Sequence, residues 1–135
     1  MSVALLIITH DSIGQSLLET ATNMLGICPI ATENLSIKRN SNPEKLFKKA
    51  QRLCHDIEQG DGLLILTDMY GSTPSNIASR LLKNNKHRLM ISGINLPMLV
   101  RVMNYPELSL FELANKAKSG AQESIFLILE KDLSN

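Results

Sequence analysis

The apolar residues of this chain change their period repeatedly and in a regular order, and that alternation limits the fold more than any single residue does. Val3-Ala4-Leu5-Leu6-Ile7-Ile8 is a short unbroken apolar run, the mark of a strand buried on both faces. Ile13, Leu17, Leu18, Ala21, Met24 and Leu25 then recur at helical spacing after Asp11 and Ser12, which are suited to cap it, and Gly26 is suited to end it. Leu35-Ser36-Ile37 predicts a shorter second strand. Asn42-Pro43-Glu44 predicts a helix start with proline in the first turn, and Leu46, Phe47, Ala50, Leu53, Cys54 and Ile57 follow on one face until about Gly60. Leu63 to Thr67 is a third apolar run, followed by the turn Tyr70-Gly71-Ser72-Thr73-Pro74 and a helix through Ile77, Ala78, Leu81 and Leu82. Leu89 to Ile94 predicts a fourth strand, Met98 to Met103 and Leu110 to Lys118 predict helices, the latter ending at Gly120, and Ile125 to Leu129 predicts a fifth strand.

Strands alternating with helices imply βαβ units, hence an α/β fold whose mainly parallel sheet of about five strands is covered on both faces. The whole chain, residues 1–135, reads as one domain, a length sufficient for one core and too short for two. Fourteen basic residues against thirteen acidic ones give a net charge of +1, and aromatic residues make up 4% with no tryptophan. That balance argues against a nucleic-acid partner, which would call for a basic excess or stacking platforms. Two cysteines, Cys28 and Cys54, are too few for a disulfide scaffold and lack metal-ligand spacing. Cys54 falls in step with its apolar neighbours and reads as a core residue in a reducing compartment. No apolar run approaches the roughly 20 residues of a membrane span, and no secretory leader is visible, so a cytoplasmic protein is expected.

In parallel sheets ligands gather where strand carboxyl ends meet the following loops. Three such ends carry polar residues: Thr9-His10-Asp11, Asp68 to Thr73, and Asn95-Leu96-Pro97. Parallel topology brings His10 and Asp68, 58 positions apart, to one edge. A histidine before a helix start lies near N–H groups that favour an anion such as phosphate. A neutral imidazole is a good nucleophile towards phosphorus, and a carboxylate on its other nitrogen fixes the tautomer and stabilises the positive ring. On spacing alone, His10 as a strand-end histidine and Asp68 as a helix cap remain equally open. Gly71, Ser72 and Thr73 offer N–H and hydroxyl donors to phosphate oxygens, though a capped helix start explains them too, and the lysine of a nucleotide-binding loop is absent. His55 and His87 read as solvated, the latter within the basic run Lys83 to Arg88. Met69 and Tyr70, beside Asp68, are suited to line the site or a subunit contact.

Taken in order, the first strand ending in Thr9-His10, the Leu17-Leu18-Glu19-Thr20-Ala21 pattern, Asp68-x-Tyr70-Gly71-x-Thr73-Pro74-x-Asn76, Ala78-Ser79-Arg80 and Gly93-Ile94-Asn95-Leu96-Pro97-Met98-Leu99 resemble the mannose-family IIA domain of the phosphoenolpyruvate-dependent sugar phosphotransferase system. The resemblance runs over essentially the whole chain. It implies a phosphoryl carrier in which His10 accepts phosphate from the phosphocarrier HPr and passes it to a IIB protein. Asp68 takes the place of the orienting carboxylate and Thr73 that of the hydroxyl before proline. No cofactor and no metal are implied, and membrane association is expected only through transporter components. The resemblance further implies a homodimer of a three-layer sandwich, with the last strand, Ile125 to Leu129, antiparallel and exchanged between subunits. The family loop usually carries a large residue followed by Gly-Gly-Ser-Pro, whereas Tyr70-Gly71-Ser72-Thr73-Pro74 stands here. With the sequence closing at Asn135, the acceptor is expected to be a separate polypeptide. Two related roles use the same histidine: a regulatory sensor of phosphorylation state, and a phosphoryl-donor domain like that of dihydroxyacetone kinase systems. A binding module that kept the fold without the chemistry is the third reading.

Overall fold

Four strands form one parallel sheet, and the order in which they pair sets the position of everything else. The computed structural model describes residues 2–134. Its elements run β1 (Ala4–His10), α1 (Ile13–Leu25), β2 (Thr32–Ile37), α2 (Pro43–Ile57), β3 (Leu63–Thr67), α3 (Thr73–Leu82), β4 (Arg88–Ser92), α4 (Leu96–Met103), α5 (Leu110–Gln122) and a short 3-10 turn (Glu130–Leu133). The sheet order is β2-β1-β3-β4, all neighbours parallel. The chain leaves β1 in one direction to reach β2 and then returns past it to β3. Because crossovers keep one hand, the two directions use opposite faces of the sheet.

Side chains of a strand alternate between faces, and here both faces are buried. Leu5, Ile7, Leu64 and Leu66 meet α1, α4 and α5 through Ala21, Met98, Leu99, Val102, Leu113 and Ala117. Ala4, Leu6, Ile8, Leu63 and Ile65 meet α2 and α3 through Ala50, Cys54, Ile57, Ile77, Ala78 and Leu81. The result is the three-layer α/β sandwich expected from the alternation. Cys54 is fully buried in the second layer, as its phase predicts. No helix among the described residues is long and apolar enough to cross a membrane.

Several local expectations need correction. Among the described residues the sheet has four strands, and the fifth, expected to be exchanged between subunits, is not part of it. Residues 125–129 form no ladder with the described residues and lie exposed, from 49% at Leu129 to 89% at Leu127. An apolar run predicts a strand but carries no information on where its ladder partner is, and none is supplied among the described residues. β2 starts at Thr32, three residues before the apolar pair that marks it, because an edge strand tolerates polar side chains on its open side. Gly120 does not end α5, which continues to Gln122. A Cβ there would meet Cβ of Arg101 at 2.9 Å, so this glycine serves the close approach of α5 to α4. Neither Asp11 nor Ser12 caps α1 through its side chain. The hydroxyl of buried Thr9 does the work instead, accepting from the N–H of Gly14 at 2.7 Å.

Candidate active site

The direction reversal between β1 and β3 leaves a crevice outside their carboxyl ends, the place where open parallel sheets bind ligands. β1 delivers His10 there and β3 delivers Asp68. Between β1 and α1 the chain turns through Asp11 at φ +43, a left-handed conformation that aspartate tolerates better than most residues. Gly14 lets α1 start hard against the sheet, since a Cβ on it would meet Ile7, Asn34 and Thr9 side-chain atoms at 2.6–2.8 Å.

Asp68 Oδ2 accepts two hydrogen bonds from His10, from its backbone N–H at 3.0 Å and from ring Nδ1 at 2.8 Å. Its Oδ1 accepts from the N–H of Met69 at 3.0 Å. An ionised carboxylate only accepts, so Nδ1 carries the proton and Nε2 is the nitrogen with the free lone pair. Asp68 is mostly covered, at 13% exposure, while the His10 ring is 44% exposed. Burial pushes the Asp68 carboxyl up, but hydrogen bonds from the His10 backbone and ring, from neighbouring backbone N–H and the charge of the ring together outweigh it. The net result is a carboxyl held below its ordinary value. An acid kept ionised behind an exposed imidazole is suited to stabilise positive charge that develops on that ring.

Of the hydroxyl-rich turn, Thr73 reaches the site. It lines, with His10, Asp11, Ile37, Lys38, Arg39, Asn40, Ser41 and Pro43, a depression of about 570 Å³. Ser72 donates its hydroxyl to the Met69 carbonyl at 2.6 Å, and Gly71, at φ +84, donates its N–H to the Ser75 hydroxyl at 3.2 Å. Both therefore shape the turn that starts α3. That start is an orphan-donor end: Pro74 has no N–H, and the N–H groups of Thr73 and Ser75 have no partner among the described residues. Met69 and Tyr70 stand exposed beside Asp68. Asn95 is not brought to His10; its side chain accepts from Met98 N–H at 2.9 Å and caps α4. His55 and His87 are exposed and outside the depression. No group of three or more metal-ligating side chains occurs among the described residues.

The sequence reading passes over the carboxyl end of β2, whose basic pair Lys38-Arg39 lines the same depression. The available signal is that pair itself, placed at once after a strand adjacent to β1.

Comparison with known proteins agrees with the geometry. The EIIA-man family, described as the PTS system fructose IIA component, matches residues 4–118. The mannose-specific EIIAB component of Escherichia coli is 33% identical over 106 residues, 76% of this chain and 32% of that protein. The fructose-specific EIIA component of Bacillus subtilis is 33% identical over 82 residues, 60% of this chain and 56% of that protein. The chain thus spans about a third of the length of the first of these relatives and about half of the second. Among solved structures, a mannose/sorbose-specific IIA subunit from Enterococcus faecalis superposes with a TM-score of 0.87 at 20% identity, over 99% of this chain and 100% of that one. The fold likeness covers the full chain and the family match covers every residue of the His10–Asp68 pair and its turn. The chain belongs to the mannose-family IIA domains of the phosphoenolpyruvate-dependent sugar phosphotransferase system.

Proposed function

We propose that this protein carries a phosphoryl group on Nε2 of His10, taking it from the phosphohistidine of HPr and giving it to a IIB component. The observation that carries the reading is the 2.8 Å contact between His10 Nδ1 and Asp68 Oδ2, which leaves the opposite nitrogen open to solvent. In the transfer, the Nε2 lone pair forms a P–N bond in line with the donor's P–N bond, which breaks. The donor ring, protonated on its other nitrogen, leaves with that electron pair as neutral imidazole. The proton on Nδ1 of His10 stays in place, and the ring becomes a phosphorylated imidazolium facing the Asp68 carboxylate. Transfer between two histidines is close to balanced in energy, so catalysis rests on positioning and on charge stabilisation. Thr73 and the orphan N–H groups at the start of α3 hold the phosphoryl oxygens, with Gly71 and Ser72 keeping that turn in shape.

The working unit is proposed to be a homodimer in which residues 125–129 of each copy add to the sheet of the other. In support, Ile125, Phe126, Leu127, Ile128 and Leu129 are all exposed, and β4 is an edge with no strand on its outer side among the described residues. Beside it lies a trough lined by Met90, Ile91, Met98, Ala121 and Ile125. Bare apolar segments next to free edges call for a partner.

The direct experiment is incubation with phosphoenolpyruvate and the general phosphotransferase proteins, followed by mass measurement before and after acid. One acid-labile phosphoryl per chain, absent in His10→Ala, is expected. Stoichiometric labelling of His10→Ala would overturn the assignment.

A further inference from the structure

The transfer described above makes no use of the end of β2, yet the fold delivers two cations there. Ile37 lies opposite His10 in the parallel register, and the N–H of Asp11 donates to the Ile37 carbonyl at 3.0 Å. The next two residues, Lys38 and Arg39, are thereby carried to the rim of the depression that His10 and Thr73 line. The loop presenting them is built. The Lys38 carbonyl accepts from Ser41 twice, from its hydroxyl at 2.7 Å and its N–H at 3.3 Å. Asn40 takes φ +62, a left-handed turn that asparagine tolerates. Asn42 then accepts from the N–H groups of Glu44 and Lys45 at 2.9 and 3.3 Å, fixing the start of α2.

The charges of this pair are uncommitted. Arg80, Arg88 and Arg101 each face a glutamate, whereas neither Lys38 nor Arg39 enters an ion pair or a side-chain hydrogen bond among the described residues. Asp11 is the carboxylate among the residues of the lining, so two cations stand against one anion there. A phosphoryl group bears a charge of about −1.5 to −2 near neutral pH. With Thr73 and the start of α3 also lining or bordering the depression, it would meet donors on one side and cations on the other.

We propose that Lys38 and Arg39 bind the oxygens of the phosphoryl group on His10, a proposal that rests on His10 being the carrier. The guanidinium fork of Arg39 pairs two oxygens, and the ammonium of Lys38 acts as a point charge on the third. Their consequence is a phosphorylated state that is favoured at equilibrium and kept fully ionised to lower pH.

The test compares the wild-type protein with a K38Q/R39Q variant and a charge-keeping K38R/R39K variant, each phosphorylated through HPr. Two quantities are read: the equilibrium partition of label between HPr and the chain, and the pH titration of the phosphohistidine by phosphorus NMR. For K38Q/R39Q, label still enters at His10, but the partition moves about tenfold towards HPr and the phosphoryl ionisation moves to higher pH. K38R/R39K, which keeps both charges but moves the fork, returns both quantities towards the wild-type values. Wild-type partition and titration in K38Q/R39Q would overturn the proposal, as would K38R/R39K behaving like K38Q/R39Q. Absence of label on the wild-type chain is a different result, which overturns the carrier reading itself.

Discussion

At the scale of residues, the proposed chemistry concentrates in one hydrogen bond, and its two partners are legible in the sequence because parallel topology forces strand ends together. What the sequence hides is the role of residues whose type suits a duller place. Thr9 sits in an apolar run and reads as strand, yet its hydroxyl receives the N–H of Gly14. Lys38 and Arg39 draw no notice in the sequence until the register carries them to the depression that His10 lines. The Asp68–His10 pair predicts a specific pH behaviour. Asp68 has its carboxyl held below the ordinary 3.8, so the folded state gains stability from it above that value and loses it as pH falls through the depressed one. Asp68→Asn removes the countercharge while keeping an acceptor. Phosphorylation of His10 is expected to slow about 100-fold in rapid-quench assays. The stability gap to wild type, from urea unfolding across pH, should be widest at neutral pH and close below about pH 4; a gap independent of pH contradicts the account. The cysteines give a second residue-scale prediction. Burial pushes the Cys54 thiol up to about 11, against a smaller opposing pull from Arg88, while Cys28 is exposed. Alkylation at pH 8 should modify Cys28 rapidly and Cys54 only on unfolding, and equal rates at the two would contradict the burial of Cys54.

At the scale of elements, periodicity identifies the four strands and five α-helices of the described residues, and the errors fall where tertiary contact overrides local signal. Gly120 has the residue type of a helix end but serves a helix–helix contact within α5. β2 begins in polar residues because its outer edge is free. Gly14 is the element-scale residue that most directly supports the site, since it allows α1 to start against β1 and Thr9. Gly14→Ala places a methyl within 2.6–2.8 Å of three side-chain atoms and should destabilise the fold by about 1–3 kcal/mol. Because the displaced strand end carries His10, the labelling rate should fall with it. Wild-type stability and rate in this variant would show that the close approach is not needed.

At the scale of the whole molecule, the three-layer sandwich follows from the alternation of elements, but the fate of residues 125–129 does not. Their composition predicts a strand, and among the described residues they pair with nothing. Pattern encodes the propensity to form a ladder but not which strand completes it. The exchange proposal yields a clear expectation. Truncation after Ser124 should convert a dimer to a monomer by light scattering coupled to gel filtration, with far-UV circular dichroism of the sandwich retained. Equal masses with and without the segment would contradict it. The reach of the sequence is thus uneven: the parallel sheet and the His10–Asp68 edge are legible in it, whereas the strand order and the cationic rim require the register.

The account stands on Nδ1 of His10 being held by Asp68 so that Nε2 carries the phosphoryl group. Proton–nitrogen–phosphorus correlation NMR on the labelled, phosphorylated chain reads that directly. A phosphorus coupling to Nε2 of His10, with the proton retained on Nδ1, is the predicted result. Coupling to Nδ1, or to any other residue, would contradict it.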